Sequence, residues 1–332
     1  MITRDTTPLI NAVLLSYNRP AYLREALASL LDQSYQNLLI TVVDNPSPSS
    51  DEVARIVGQH SQVRLIQNRT NQGYTGGMNR GIEAAAGKYI FLTEDDMTLE
   101  PDCVQRLAEF MEQHPATGLS APVIYNKSER TIRCAGGEVK LGAVYKRKIY
   151  GVGEEDAGQF ETPFEVSYVD GVTMLARADL LKRLGGFRED FFMYVESVEL
   201  CVRAHNYGAQ LSVVPGARAY HFEPLVGPTP PEIEFHKIKN FLSLYLLHAP
   251  ARVLPEFLCR YALWNTLRTM FTRRGGGYRL ASLKALLWVL RKTPSLLRER
   301  NQQRSIQRSA GDEMRAEDYL ERVAGEVSLV KD

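Results

Sequence analysis

The sequence predicts an α/β protein: a mostly parallel central sheet flanked by helices, followed by an amphipathic helical module. Three observations predict it. Short apolar runs near the N-terminus alternate with stretches that read as helix or turn. The intervening stretches carry helix punctuation, a proline just inside a start and glycines just past an end. A proline-rich stretch, GPTPPE, then separates this region from a basic segment of purely helical period. With 332 residues the chain has room for a large core and an appended module. Its 44% apolar and 24% charged residues exclude a disordered, collagen-like or disulfide-scaffold protein.

The strands are LINAVLLS, LLITVVD, VRLIQN and YIFLTED. The first crossover begins at Pro20 and places Leu23, Leu27, Leu30 and Leu31 on one helical face. A later helix spans Met78 to Ala86, with Gly87 as its C-cap. Glycines and mixed polarity between Gly136 and Gly158 predict turns or a mobile loop. RADLLKRLGGF reads as a short helix stopped by two glycines, VESVELCVRAHNYG as a helix ending at Gly208, and LSVVP as a strand leading to AYHF. Boundaries follow at 1–225, 226–310 and a tail at 311–332.

Cys103, Cys134, Cys201 and Cys259 show no C-x-x-C spacing, which points to reduced thiols in a cytosolic protein. The N-terminal stretch is polar where a signal peptide is apolar, and no run reaches about 18 apolar residues, so neither export nor a membrane span is expected. A net charge of +1 hides an uneven distribution: from His236 to Ala310 there are 15 Lys and Arg against 2 Asp and Glu, leaving the rest at −12. Such asymmetry suggests a basic module that meets nucleic acid or an anionic membrane.

The fourth strand runs into Glu94, Asp95 and Asp96, three carboxylates at the edge where open α/β sheets bind ligands. Adjacent acids repel unless something positive sits among them; a divalent cation with phosphate oxygens satisfies this, and a solvated acidic loop avoids it. Alternation along a strand lets Glu94 and Asp96 point together and Asp95 away. SYNRP stands where a dinucleotide-binding protein shows G-x-G-x-x-G, and neither a P-loop nor the glycine-rich loop of sugar nucleotidylyltransferases is present.

Five blocks in order resemble a family 2 glycosyltransferase of the GT-A fold, over roughly Asn11 to Phe222: AVLLSYNRP, VVDNPSPSS, NQGYTGGMNRGIEAAAGKYIFL, EDDMTLEPD, and GGFREDFFMYVESVELCVRAHNYG followed by AYHF. That fold is Rossmann-like. The resemblance implies that Tyr17 and Asp44 hold the base and ribose of a nucleotide-sugar, linked to UDP, dTDP or GDP, with Ser16 and Asn18 shaping the pocket. It further implies that Asn71, Gly73, Gly76, Gly77 and Asn79 form a glycine-rich loop approaching the donor, where Asp95 also lies. Glu94 and Asp96 would hold a divalent metal, Mn2+ or Mg2+, with His221 as a further ligand that favours Mn2+. Read without the resemblance, Tyr17 is a strand-end aromatic, Asp44 a turn residue before Asn-Pro, the glycines a flexible loop and His221 a structural histidine.

Relatives carry an acidic pair where this chain reads Glu196-Ser197, and the second acid is the expected base. A hydroxyl does not accept a proton near neutral pH, so the role passes to Glu196. Glu199 stands four residues before Arg203, the favourable order for an ion pair, and reads as structural. The implied reaction is an inverting displacement on a glycan or polyprenyl-linked acceptor in surface-polysaccharide synthesis. The alternative is a donor-binding or scaffold protein that has lost activity at Ser197.

After GPTPPE, Leu254, Phe257, Leu258, Tyr261, Trp264, Leu267 and Phe271 recur at helical spacing, as do Leu280, Leu283, Leu287 and Leu290. With Arg252, Arg260, Arg268, Arg273, Arg274, Arg279, Lys284, Arg291 and Lys292 alongside, these helices suit an anionic bilayer surface on the cytosolic side. The alternative is packing on the catalytic domain. No nucleic-acid recognition motif accompanies the charge, and none is expected as a partner.

Overall fold

The computed structural model describes residues 7–128, 131–222, 230–260 and 276–309. Four parallel strands build one half of the central sheet: β1 (Ile10–Ser16), β2 (Leu38–Asp44), β3 (Val63–Gln67) and β4 (Tyr89–Glu94), in the spatial order β3-β2-β1-β4. All seven residues of β1 are buried, as a central parallel strand covered on both faces requires. The crossovers are α1 (Pro20–Leu31), α2 (Ser50–Val57) and α3 (Gly73–Ala84). Right-handed crossovers place α1 and α2 on one face, because β1 to β2 and β2 to β3 step the same way, and α3 on the other, because β3 to β4 steps back.

Beyond β4 lie β5 (Met97–Leu99), α4 (Cys103–Gln113), β6 (Thr117–Asn126), β7 (Ile132–Cys134), β8 (Gly137–Leu141), β9 (Tyr145–Ile149), β10 (Phe164–Val166), β11 (Thr173–Arg177), α5 (Ala178–Leu184), α6 (Glu196–Asn206) and β12 (Gln210–His221). The sheet continues from β4 through β11, β6 and β12 to β10, with β11 antiparallel to both its neighbours. LSVVP and AYHF are one strand, β12, which changes register between Val214 and Arg218, where Pro215 lacks a donor for the ladder. Its far end pairs His221 with Met97 of β5. That register brings the distal histidine back to the carboxylates ending β4.

The core interleaves strand residues such as Phe91, Leu14 and Tyr89 with helix residues such as Leu23, Leu27 and Met78, all at 0–1% exposure. Truncating one of these leucines to alanine costs about 2–5 kcal/mol. Tertiary structure overrides three local expectations. The stretch 136–158 forms a β8–β9 hairpin, its alternating buried and half-exposed residues giving one packed face. The glycine-rich loop is the start of α3 itself, since its glycines are needed for close packing and do not break the helix. Gly87 is not a cap: α3 ends at Ala84, and Gly87 turns the chain at φ +111° into β4.

Among the described residues, the C-terminal segment holds α7 (Pro231–His248), α8 (Leu254–Phe257) and α9 (Gly276–Ser309), of which α7 and α9 pack along each other. Arg300 of α9 donates to the carbonyls of Leu246 and Ala249 at the end of α7. The packed face of α9 contains Ala281, Ala285, Val289 and Leu296, whereas the expected stripe Leu280, Leu283, Leu287 and Leu290 is 43–69% exposed. The small residues allow close helix approach and turn the leucines outward. The expectations for Tyr261, Trp264, Leu267, Phe271, Arg268, Arg273, Arg274, residues 227–229 and the tail lie outside the described residues. Among the described residues no helix is long and apolar enough to cross a membrane.

Candidate active site at the sheet edge

Strand register gathers the site. Ser16 pairs with Asp44 and Leu15 with Glu94, so β1, β2 and β4 end together at the carboxyl edge. There the chain after β1 turns through Asn18 at φ +56°, whose Oδ1 accepts from Ser49 Oγ at 2.9 Å. Asp95, 2% exposed, accepts from Ser16 Oγ at 3.1 Å and from the Tyr17 N–H at 2.9 Å. Burial nonetheless pushes its carboxyl up to about 6. Arg19, which sequence reasoning missed, pairs with both Asp95 and Asp96. The signal for it was present: three adjacent acids need a cation, and Arg19 follows the strand-end turn they face.

Glu94 is half-buried, and burial followed by the Asp96 charge raises it well above the ordinary carboxyl range. Asp96 Oδ2 lies 3.8 Å from His221 Nε2. Asp96 Oδ1 and His221 Nδ1 are buried without a hydrogen-bond partner, and burial lowers the imidazole below its usual pKa. The expected ligand set is not gathered as a threesome: among the described residues no three His, Cys, Asp or Glu side chains converge on one ion position. Asp96 and His221 come together, Glu94 does not join them, and Arg19 supplies the local positive charge.

The expected donor residues divide into two kinds. Tyr17 is 45% exposed, leaving its ring available, and Asp44 is buried with Oδ1 unpartnered and its carboxyl raised by burial. Asn71 and the glycines shape the start of α3. Asn71 Oδ1 accepts the Gly73 N–H at 2.8 Å, and Gly73, at φ +68°, lies where a Cβ would strike Phe192. A Cβ at Gly77 would meet Leu15 of β1, so that position sets helix-to-sheet distance, whereas one at Gly76 would meet Gln72 at the start of α3 itself. Asn79 is fully engaged with the Phe187 backbone, donating to its carbonyl and accepting its N–H, both at 2.8 Å. Asn45, also missed, donates to Gly73 O at 2.8 Å and accepts from Asn68 Nδ2 at 2.9 Å, tying the β2 edge to α3.

Glu196 opens α6. Its charge is felt by Glu94, and burial lifts its carboxyl to about 7. Oε1 accepts from Ser197 Oγ at 3.2 Å, while Oε2 is buried with no partner. Ser197 in turn lies against Gly171, where a Cβ would be 2.4 Å from its Oγ. One turn on, Glu199 has the opposite electrostatics. Arg203 binds both its oxygens, and His248 Nε2 lies 3.0 Å from Oε1. Burial would raise this carboxyl, but Arg203 and His248 outweigh it and hold it down to about 2. Two glutamates three residues apart are thus driven to opposite ends of the carboxyl range, which separates a proton acceptor from a structural anion.

The family model described as "Glycosyl transferase family 2" matches residues 12–185. The chain is 26% identical over 301 residues, 87% of its length and 79% of the relative, to "Succinoglycan biosynthesis protein ExoO" of Rhizobium meliloti. It is 23% identical over 235 residues, 65% of its length and 76% of the relative, to "N-acetylglucosaminyl-diphospho-decaprenol L-rhamnosyltransferase" of Mycobacterium tuberculosis. It spans about half the length, 54% and 44%, of two uncharacterized glycosyltransferases of Haemophilus influenzae. Among solved structures, GalNAc-T7 with UDP, GalNAc and Mn2+ superposes with a TM-score of 0.58 at 15% identity, covering 73% of this chain and 48% of that one, a likeness of fold.

Proposed function

The chain belongs to glycosyl transferase family 2, and on that premise we propose that it transfers a sugar from a nucleotide-sugar to an acceptor hydroxyl with inversion, Glu196 acting as base. One observation carries the reading: Glu196 presents an unpartnered, buried Oε2 with a pKa of about 7 within electrostatic reach of the carboxylates at the β4 edge. A carboxylate poised near working pH is what general-base catalysis needs. Ser197 replaces the second acid of the family pattern and supports Glu196 through its hydroxyl.

Tyr17 offers its exposed face to the nucleotide base, and the orphan Oδ1 of Asp44 accepts from the ribose. Asp96 and His221 would hold a divalent cation, because Asp96 Oδ1 is buried without a partner and the Nε2 of His221 faces the Asp96 carboxylate at 3.8 Å, with phosphate oxygens to complete the coordination shell. A cation bound there would offset charge on the departing diphosphate. Glu196 takes the acceptor hydroxyl's proton as that oxygen attacks the anomeric carbon, and the C–O bond to the nucleoside diphosphate breaks on the opposite face. Arg19 orients both Asp95 and Asp96, and its charge opposes the rise that burial imposes on the Asp95 carboxyl.

The acceptor is proposed to be a glycan or polyprenyl-linked sugar, supported by the two relatives acting in succinoglycan biosynthesis and on a decaprenol diphosphate. The exposed stripe Leu280, Leu283, Leu287 and Leu290, with Arg279, Lys284, Arg291 and Lys292 beside it, supports docking on an anionic membrane on the cytosolic face. The donor site is tested by thermal stability against UDP-glucose, dTDP-rhamnose and GDP-mannose, each with Mn2+, Mg2+ or EDTA. A ligand at 100 times Kd stabilises by about 2.7 kcal/mol. A metal-dependent shift with one of them is expected; no shift with any nucleotide in folded protein would favour the scaffold alternative.

A further inference from the structure

Two polar side chains of α7 are buried more deeply than the reading above requires: Lys239 is 2% and Asn240 0% exposed. Neither faces solvent, although both belong to the basic segment expected to meet a membrane. Both point at one stretch of backbone, residues 189–195, which leads directly into Glu196.

Asn240 Nδ2 lies 2.9, 2.8 and 2.7 Å from the carbonyl oxygens of Phe191, Met193 and Tyr194. Lys239 Nζ donates to the carbonyls of Asp190 and Phe191 and to Asn240 Oδ1, the last at 2.6 Å. An ammonium has donors only, so its bond fixes which end of the amide is oxygen and turns Nδ2 toward the three carbonyls. The lysine thus orients the asparagine, and the asparagine gathers the loop.

The loop needs gathering. Of the four non-glycine residues with positive φ among the described residues, three are here: Phe192 at +65°, Tyr194 at +67° and Val195 at +70°. Left-handed backbone is unfavourable for each, and most of all for β-branched Val195, so it persists only where surrounding contacts over-determine it. On its other side the loop meets α3: Phe192 O accepts the Thr75 N–H at 3.1 Å, and the Phe192 ring stacks on His236 of α7 at 4.8 Å. The segment is therefore held between the donor-side helix and the C-terminal module.

We infer that Asn240 and Lys239 are positioning residues for Glu196: α7 locks the strained loop that sets where α6 begins and hence where its first carboxylate points. The inference rests on the reading of Glu196 as base. It makes the C-terminal module part of the active site's framework, independently of any lipid it meets.

The test compares wild type, Asn240→Asp, Lys239→Met, Glu196→Gln and Glu196→Gln/Asn240→Asp. Asn240→Asp keeps volume and the Lys239 contact but removes the donors. Turnover is followed as nucleoside diphosphate released from whichever of the three nucleotide-sugars binds in Mn2+. Asn240→Asp is expected to lower kcat roughly 10- to 100-fold, the scale of a misplaced catalytic group. Its donor KM should stay within about threefold, as Tyr17 and Asp44 belong to the β1 and β2 edge and not to the loop or to α3. The acid limb of its pH profile should shift, because the surroundings of Glu196 change. In the Glu196→Gln background the same substitution should cost nothing further.

Hydrogen exchange gives a readout that needs no substrate: amides of 191–196 should exchange faster in both α7 variants while those of β1 and β2 stay protected. Lys239→Met repeats every arm if Asn240→Asp does not fold. Wild-type turnover in Glu196→Gln would overturn the base assignment. An inactive Glu196→Gln with full kcat and unchanged loop exchange in both α7 variants would overturn the positioning role alone, as would a loss in the double variant equal to the product of the single losses.

Discussion

Replacing Glu199 by glutamine tests whether the two glutamates of α6 have separate duties. Glu199 is wholly buried and holds Arg203, 11% exposed, and His248, 1% exposed. Glutamine keeps the shape but leaves the buried Arg203 guanidinium without its anion and His248 without its carboxylate partner. Removing one member of a buried pair costs about 3–5 kcal/mol. A second route gives a similar figure. The carboxyl is held at about 2 against an ordinary 4.5, which at 1.36 kcal/mol per pH unit corresponds to about 3 kcal/mol. Over 332 residues, with unfolding entropy near 2.1 cal/mol/K per residue, this is a fall in Tm of about 4 °C. The sign with pH follows from the depressed pKa: the contribution is complete above about 4.5 and disappears as pH falls toward 2. Urea unfolding of wild type and Glu199→Gln at pH 7 should differ by about 3 kcal/mol, and the gap should narrow between pH 4.5 and 3. A loss below about 1 kcal/mol at pH 7, or a gap that widens in acid, would refute the reasoning.

Turnover should rise with pH through about 7 and then level, since Glu196 works deprotonated and burial sets its pKa there; a profile flat from pH 5 to 8 would contradict this. Asp96→Asn should weaken nucleotide binding in Mn2+ at least tenfold while leaving metal-free binding nearly unchanged, as titration calorimetry would report. Leu283→Ser/Leu287→Ser should reduce cosedimentation with phosphatidylglycerol vesicles severalfold and leave the melting temperature within about 1 °C, because both side chains are exposed. Equal binding of this variant and wild type would remove the stripe from the interface.

The first half of the fold was legible because its signals are local. Continuous apolar runs mark buried parallel strands, and Pro20 and Gly185 mark a helix start and a helix end where the structure has them. The candidate carboxylates were legible for the same reason, since strand ends are where such sheets bind ligands. What stayed hidden depends on contacts distant in sequence. Whether Gly73 and Gly77 loosen a loop or let α3 approach β1 and Phe192 is decided by what lies opposite them. The β8–β9 hairpin follows from a packed face that composition does not disclose. Asn240 and Lys239 sit in a segment that sequence alone marked only as basic, and their partners lie 46–49 residues away. The distinction between Glu196 and Glu199 was half visible: Arg203 at i+4 gave the ion pair, while His248 could come only from the fold.

The measurement that bears most directly on the central claim is turnover of Glu196→Gln beside its affinity for the nucleotide-sugar in Mn2+. Loss of the base should cut kcat by roughly 10²- to 10⁴-fold, with donor affinity within about threefold of wild type. Wild-type turnover with intact donor binding would contradict the assignment of Glu196 as the group that takes the acceptor's proton.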